Sequence, residues 1–579
     1  MHSIAPQVIN LLSYLMNTWR TTLLVKTVKG TIRSGLVDIK RGIFQGDTLS
    51  CIWFCLALNP LSKLLNNTNY GYVINKQRGV RISHRLYIDD LKIYASSFEQ
   101  LQRQLEIVSA FSDSIKMEIG IDKCATLEVK RGKIQKTPST TLMNFETISA
   151  LNENESYKYL GINQALDIKT SEMKDIFRER LYKRVTLLLK SGLNSKSLFT
   201  AINVWAIPSI TYSFGVLAWS QTDLREIDRK IRTMLTKSGI HHPHSSTIRL
   251  YLPRKNGGMG LLSLETTHAE NVNALRTHFM QLDSPVAEAI READEGISML
   301  RLAIPHYEVV TPSLDERMEE WNSKALHGRY PGHLKSEEVN EVESLTYLRK
   351  GYLFPETEGR LLAIQDQVMP TRMYLKHIAK QDIASTLCRR CSQAPESIQH
   401  MTSACSIMAP RDYLERHNAM GKIYHQQLAL KLGLAQNGVH QHLYQPISLL
   451  QDHRYKLYWN TTLITDRGVT HNRPDIALFD VEKKSCLLLE FTIPADENLA
   501  RAYTDKVSKY GDLAYQLREI YGLKSISILP LIISVNGLVE KHLLENTEKL
   551  GLERHIISSA QKQVILGTTR IVRKFLEGP

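Results

Sequence analysis

The chain has 579 residues and a mass of 66.1 kDa, too long for one core and enough for roughly three or four domains of ordinary size. Hydrophobic residues at 43% and charged residues at 23% exclude wholesale disorder. With 73 Lys+Arg against 59 Asp+Glu, the net charge of +14 points to a polyanionic partner, nucleic acid before membrane.

In chain order, the first 140 or so residues alternate β-rich runs (23–28, 85–95, 125–130) with helical patterns (49–65, 99–112), which predicts an α+β layer. From Ser171 the pattern turns helical, and two basic helices follow, one carrying Lys174, Arg178, Lys183 and Arg184, the other Arg225, Arg229, Lys230 and Arg232. The uncharged stretch 197–222 is interrupted by Asn203 and Pro208, so it reads as buried helix and turn, not as a membrane span. His241, His242 and His244 read as loop residues, and a loop at 251–261 is punctuated by Gly257, Gly258 and Gly260. Residues 265–380 are mostly amphipathic helix. A helix over 411–432 precedes a compact α/β pattern: a strand at 485–494, a helix at 497–521 and a strand at 526–535. The N-terminus lacks a basic region and cleavage site of a signal peptide, and seven cysteines are too few for a secreted disulfide framework. Cys51, Cys55, Cys124 and Cys486 read as core residues of a soluble intracellular protein.

Leu86-Tyr87-Ile88-Asp89-Asp90-Leu91 sets two adjacent carboxylates at a hairpin turn flanked by apolar strands. Like charges that close raise one another's pKa, and a divalent cation resolves the conflict. Taken alone the turn also reads as a solvated one. Upstream, Arg41-Gly42-Ile43-Phe44-Gln45-Gly46-Asp47-Thr48-Leu49-Ser50 is a Gly-bearing loop entering an apolar helix, and Gly46 permits close backbone approach to a ligand. Downstream come Gly120-Ile121-Asp122-Lys123 and Tyr159-Leu160-Gly161. In order and spacing these four motifs resemble the palm of reverse transcriptases. The resemblance implies Asp89 and Asp90 as catalytic ligands of Mg²⁺ (or Mn²⁺), and Arg41, Gln45, Gly46, Lys123 and Gly161 as contacts to template or nucleotide. Cys51 stands where the family usually has proline. The family's first catalytic carboxylate, borne on a strand ahead of the Arg-Gly loop, has no counterpart: residues 1–40 hold one acid, Asp38. Met1 therefore reads as the start of an N-terminally truncated copy or of an incomplete gene model.

Cys388, Cys391, His400 and Cys405 form a Cys-x2-Cys-x8-His-x4-Cys pattern. Such spacing suits a tetrahedral Zn²⁺ with four protein ligands, a closed structural site. Arg389 and Arg390 fall inside the knuckle, within reach of phosphates. Further on, Arg473-Pro474-Asp475-Ile476 is followed after thirteen residues by Glu490-Phe491-Thr492. An Asp ending one strand and a Glu on the next can meet across a hairpin and share a divalent metal. This layout resembles restriction-like nucleases, with Thr492 in place of the expected lysine. Lys506 and Lys509, on one face of the following helix, are the candidate basic groups.

The order of these parts resembles site-specific non-LTR retrotransposons with a restriction-like endonuclease. The resemblance implies a multidomain α+β chain: an incomplete reverse transcriptase palm at 1–140, the palm end and helical thumb at 141–265, and a helical linker at 266–380. A zinc knuckle at 385–410, a helix and linker at 411–454, a PD-(D/E)xK-like α/β endonuclease at 455–545 and a C-terminal helical tail at 546–579 complete it. It also implies target-primed reverse transcription on element RNA, target DNA and deoxynucleotides, in the nucleus when chromosomal DNA is the target. The competing expectation is a non-catalytic remnant that binds nucleic acid through thumb and knuckle. Group II intron maturases and telomerase-like proteins share the palm but do not predict the knuckle followed by Pro-Asp and Glu.

Overall fold

The computed structural model describes residues 5–578 except 29, 41, 45, 48, 138, 143–145, 295 and 437–438. Arg41 and Gln45, expected to contact template or nucleotide, lie outside the described residues. The chain divides into two compact units. One comprises Met1–Ile176, Val216–Ala218 and Asn273–Tyr307; the other comprises Phe177–Gly215, Trp219–Val272 and Glu308–Pro579.

In the first unit, helices Ser50–Asn67 and Phe98–Ser114 pack through Leu61, Leu65 and Val108, with Leu91 and Ile93 against them. Ser97 starts the second helix by accepting the Gln100 amide, one of the donors a helix leaves unpaired. Strand segments here are two to four residues long, and among the described residues they pair only as two-stranded ribbons and one three-stranded sheet. Frequent turns between short runs divide the strands into these separate ribbons. Apart from Ser50, burial on Ser50–Asn67 begins at Leu58 and continues at Leu61 and Leu65. The first turn is left uncovered, so Cys51 and Cys55 are exposed and are not core residues; Cys124 is half-buried and Cys486 is buried.

The second unit begins with helical packing. Gln221–Lys237 opens with a reciprocal cap between Ser220 and Asp223, and buries Leu224, Ile227, Ile231 and Leu235 at the three-and-four spacing of an amphipathic helix. The uncharged stretch folds as short helices, and among the described residues no helix is long and apolar enough to cross a membrane.

Its C-terminal part is a five-stranded sheet. Helix α1 (Leu414–Lys431) precedes strands β1 (Leu449–Gln451), β2 (Tyr455–Trp459), β3 (Ile476–Asp480) and β4 (Ser485–Thr492). Helices α2 (Leu499–Lys509) and α3 (Gly511–Tyr521), strand β5 (Ser525–Ile532), and helices α4 (Leu543–Lys549) and α5 (His555–Glu577) complete it. The strands lie in order β1-β2-β3-β4-β5, antiparallel throughout except for the parallel β4–β5 pair. The α2–α3 crossover supplies the long connection that a parallel pair requires.

Ile476, Leu478, Leu489 and Phe491 join a core with Ile423 and Tyr424 of α1, Leu543 of α4 and Ile556 of α5. Ala477, Phe479, Cys486 and Leu488 join a second core with Leu513 and Leu517 of α3. Alternate residues of β3 and β4 thus serve opposite faces, and both faces are covered. The helix expected over 497–521 is broken at Tyr510, which is buried and has φ −104° and ψ 9°. Gly511, a poor helix former, follows it, and the Tyr510 hydroxyl is held by Glu490. The C-terminal segment, expected as a helical tail, holds the long helix α5, whose Ile571, Val572 and Phe575 pack with Cys388, Cys405 and Met408 of the Cys/His region.

Candidate functional site

In the first unit, His84–Tyr87 and Asp90–Ile93 form an antiparallel hairpin with Tyr87 opposite Asp90, leaving Ile88 and Asp89 as its turn. Ile88 has φ 54°, a left-handed conformation that is costly for a β-branched residue. Backbone strain of this kind concentrates at functional sites, and here it sits in the turn presenting Asp89 and Asp90, both exposed. A second hairpin pairs Tyr157–Tyr159 with Ile162–Gln164, and its turn residues Leu160 and Gly161 have φ 47° and 79°, the paired positive values of a type I′ turn. Lys92 joins the two hairpins. Its ammonium donates to Gln164 Oε1 at 2.8 Å and lies 5.3 Å from the Tyr159 ring centroid. Burial lowers the Lys92 pKa, and burial followed by neighbouring groups, Asp90 among them, raises that of Tyr159. Sequence reasoning did not single out Lys92, because a lysine on a strand carries no motif. Gly46 has φ 93°, with open space where a Cβ would stand, and Lys123 is exposed in the short turn Ile121–Lys123. Asp38 lies on a two-residue strand and pairs with Arg20 at 3.0 Å.

In the second unit, the ligand atoms of Cys388, Cys391, His400 and Cys405 all lie within 4.8 Å of one another. Cys388 and Cys405 sulfurs are 3.9 Å apart, and Cys391 Sγ is 3.3 Å from His400 Nε2. Three thiols and an imidazole at these separations fit a tetrahedral Zn²⁺. Backbone amides, that of Gln393 foremost, hold the Cys391 thiol below its usual range, whereas burial pushes Cys405 up to about 11. A cation would stabilise both as thiolates. Arg389, inside the knuckle, donates from Nε and Nη2 to buried Glu396 at 2.9 and 2.6 Å. Arg390 donates to the Lys574 carbonyl at 3.1 Å.

The C-terminal sheet brings the remaining candidates together. β3 and β4 pair with Ile476 opposite Leu489, so one step further along the same register Asp475 stands opposite Glu490. Asp475 Oδ2 accepts the Phe491 amide at 2.8 Å. Glu490 is buried; its Oε1 receives the Tyr510 hydroxyl at 2.9 Å and lies 3.4 Å from Lys506 Nζ and 3.5 Å from Lys509 Nζ. Its Oε2 has no hydrogen-bond partner among the described residues. Burial, followed by the Asp475 charge, raises the Glu490 pKa despite the two lysines. Thr492 leaves β4 without a lysine, and α2 supplies two from the opposite direction. Sequence reasoning missed two members of this constellation. Tyr510 was read as part of a continuous helix. His417, on α1, places Nε2 3.2 Å from Asp475 Oδ2 and 3.1 Å from the Phe491 carbonyl oxygen. Burial works to lower its pKa, but the Asp475 carboxylate outweighs burial and the value is raised.

Residues 6–164 match the reverse transcriptase (RNA-dependent DNA polymerase) family. Asp89, Asp90, Lys123 and Gly161 all lie within that match. Among curated proteins, the chain is 21% identical over 560 residues to the retrovirus-related Pol polyprotein from type-1 retrotransposable element R2 of Bradysia coprophila, covering 92% of this chain and 58% of the relative. It is 27% identical over 384 residues to the protein of the same description from Nasonia vitripennis, covering 63% and 34%. It is 26% identical over 230 residues to the Pol polyprotein from type-2 retrotransposable element R2DM of Drosophila melanogaster, covering 39% and 21%. The chain thus spans between about a fifth and three fifths of the length of these relatives. It is a mixed α/β protein of several parts that carries a reverse transcriptase domain.

Proposed function

We propose that this chain supplies RNA-directed DNA polymerase and DNA endonuclease parts of a non-LTR retrotransposon protein, working by target-primed reverse transcription on element RNA and chromosomal target DNA in the nucleus. The observation that carries the endonuclease half is the cross-strand pair Asp475–Glu490, with Lys506, Lys509 and Tyr510 gathered on it from the α2–α3 crossover. The unpartnered, buried Oε2 of Glu490 and the raised pKa of its carboxyl fit a site made for a divalent cation. Asp475, Glu490 and the Phe491 carbonyl would hold Mg²⁺ or Mn²⁺, which when bound supplies Lewis-acid charge at a scissile phosphate. Tyr510 fixes the Glu490 carboxylate in place. Lys506 and Lys509, partly exposed, are positioned to donate to phosphate oxygens. The Cys/His cluster would hold Zn²⁺ as a structural ion.

Asp89 and Asp90 would hold catalytic Mg²⁺ in the polymerase part. A two-metal polymerase site draws on a further carboxylate, and the one acid of residues 1–40, Asp38, lies on a short exposed strand beside Arg20. The 579 residues alone are therefore expected to nick DNA without extending a primer. Purified chain with Mg²⁺ should convert supercoiled plasmid to nicked circles and leave a primed RNA template unextended. Extension that Asp89→Ala removes would overturn the second expectation, and intact supercoiled plasmid would overturn the first.

A further inference from the structure

The helix α1 leaves the Cys/His cluster and runs directly to the nuclease carboxylates. Its lead-in is fastened to the segment between His400 and Cys405. The Tyr413 hydroxyl accepts the Cys405 amide at 3.2 Å and donates to the Met401 carbonyl at 2.8 Å. Arg416, buried, donates to the Thr402 carbonyl at 2.9 Å and to Thr568 Oγ1 of α5 at 2.9 Å. His417 is the next residue, and its Nε2 meets Asp475 Oδ2 and the Phe491 carbonyl. One turn later Gly421 lies so close to the sheet that a Cβ there would stand 2.8 Å from the Trp459 ring and 3.1 Å from that of Phe491. The close seat of α1 at Gly421 is what brings the imidazole of His417, on the same helical face, to the end of β4.

We infer that His417 is a positioning residue of the endonuclease, through which the helix anchored on the Cys/His cluster fixes the Asp475 carboxylate. The inference rests on the endonuclease reading above. Asp475 Oδ2 accepts the Phe491 amide at 2.8 Å and lies 3.2 Å from the His417 imidazole, whose Nε2–H donates to the Phe491 carbonyl at 3.1 Å. A backbone donor on β4 and an ion-pairing imidazole on α1 thus hold this oxygen from two different elements. Groups that hydrogen-bond a metal-ligating carboxylate orient it, and their loss typically costs 10- to 100-fold in metal affinity. The sequence pattern that follows is a helix whose anchor residues, Tyr413 and Arg416, grip the knuckle and whose next residue grips the nuclease.

The test is Mn²⁺ binding by the full chain, read by electron paramagnetic resonance in an Asp89→Ala, Asp90→Ala background that silences the palm pair. His417→Ala should weaken Mn²⁺ binding about 10- to 100-fold. His417→Gln, whose amide reaches the Nε2 position, should recover most of that loss. Zinc content and thermal unfolding should match the parent in both. If His417→Ala does not fold, His417→Asn, one methylene short of the contact, takes its place in the comparison with His417→Gln. A folded Ala or Asn variant with parental Mn²⁺ affinity overturns the inference. Asp475→Ala separates the two levels of the argument: a parent without an Asp475-dependent Mn²⁺ site overturns the endonuclease reading itself, whereas an Asp475-dependent site indifferent to His417 overturns only the positioning role.

Discussion

Buried carboxylates in this protein differ in what compensates them. Asp228, on the Gln221–Lys237 helix, accepts the Leu264 amide at 3.1 Å and the Ser263 hydroxyl at 3.3 Å, yet burial still raises its pKa to about 7. The folded state therefore keeps a proton that the unfolded chain releases near pH 4. Stability from this group is full below the unfolded pKa and is lost as pH rises through about 7, at up to roughly 1.4 kcal/mol per pH unit. Melting temperature should fall across that window in the parent, and Asp228→Asn, which keeps an acceptor for the Leu264 amide, should flatten the fall. An unchanged slope would contradict the assignment. Glu490 is compensated differently, by two lysines and a tyrosine on one oxygen only. Asp89-Asp90 and the Cys/His spacing were legible in the sequence because each is contiguous or nearly so. His417 was not, because nothing local distinguishes it from any helical histidine; its role exists only once α1 is seated on β4.

At the scale of elements, α1 is the part on which most depends. Its packing against the sheet is set by Gly421, and a larger residue has to displace the Trp459 and Phe491 rings. Overpacking of this kind costs about 1–3 kcal/mol. Gly421→Val should lower stability by that amount in denaturant titrations, and an unaffected variant would show that the helix has room to shift. The cross-strand meeting of Asp475 and Glu490 was readable from fourteen intervening residues, a length that permits a hairpin between adjacent strands. The break at Tyr510 was not, since the apolar spacing continues through it and only the buried hydroxyl contact to Glu490 marks the interruption. The strands of the first unit were recognisable by composition. Their pairing into separate ribbons was not, because register between short runs depends on tertiary neighbours.

At the scale of the molecule, the second unit binds its Cys/His cluster and its C-terminal sheet into one set of cores, with α5 shared between them. The central place of the last helix was not legible in its residues, since an amphipathic helix at a chain end reads equally well as a peripheral one. Elemental analysis of the full chain should find one zinc per molecule, absent in Cys391→Ser, whose melting temperature should also fall. A zinc-free parent would contradict the four-ligand assignment. The proposed endonuclease chemistry of the C-terminal sheet, separate from that of Asp89 and Asp90, is tested by Mg²⁺-dependent nicking of supercoiled DNA by Asp475→Ala and Asp89→Ala. Loss of nicking in Asp475→Ala with DNA binding intact, and full nicking in Asp89→Ala, is the predicted result; nicking that survives Asp475→Ala, or that requires Asp89, would contradict it.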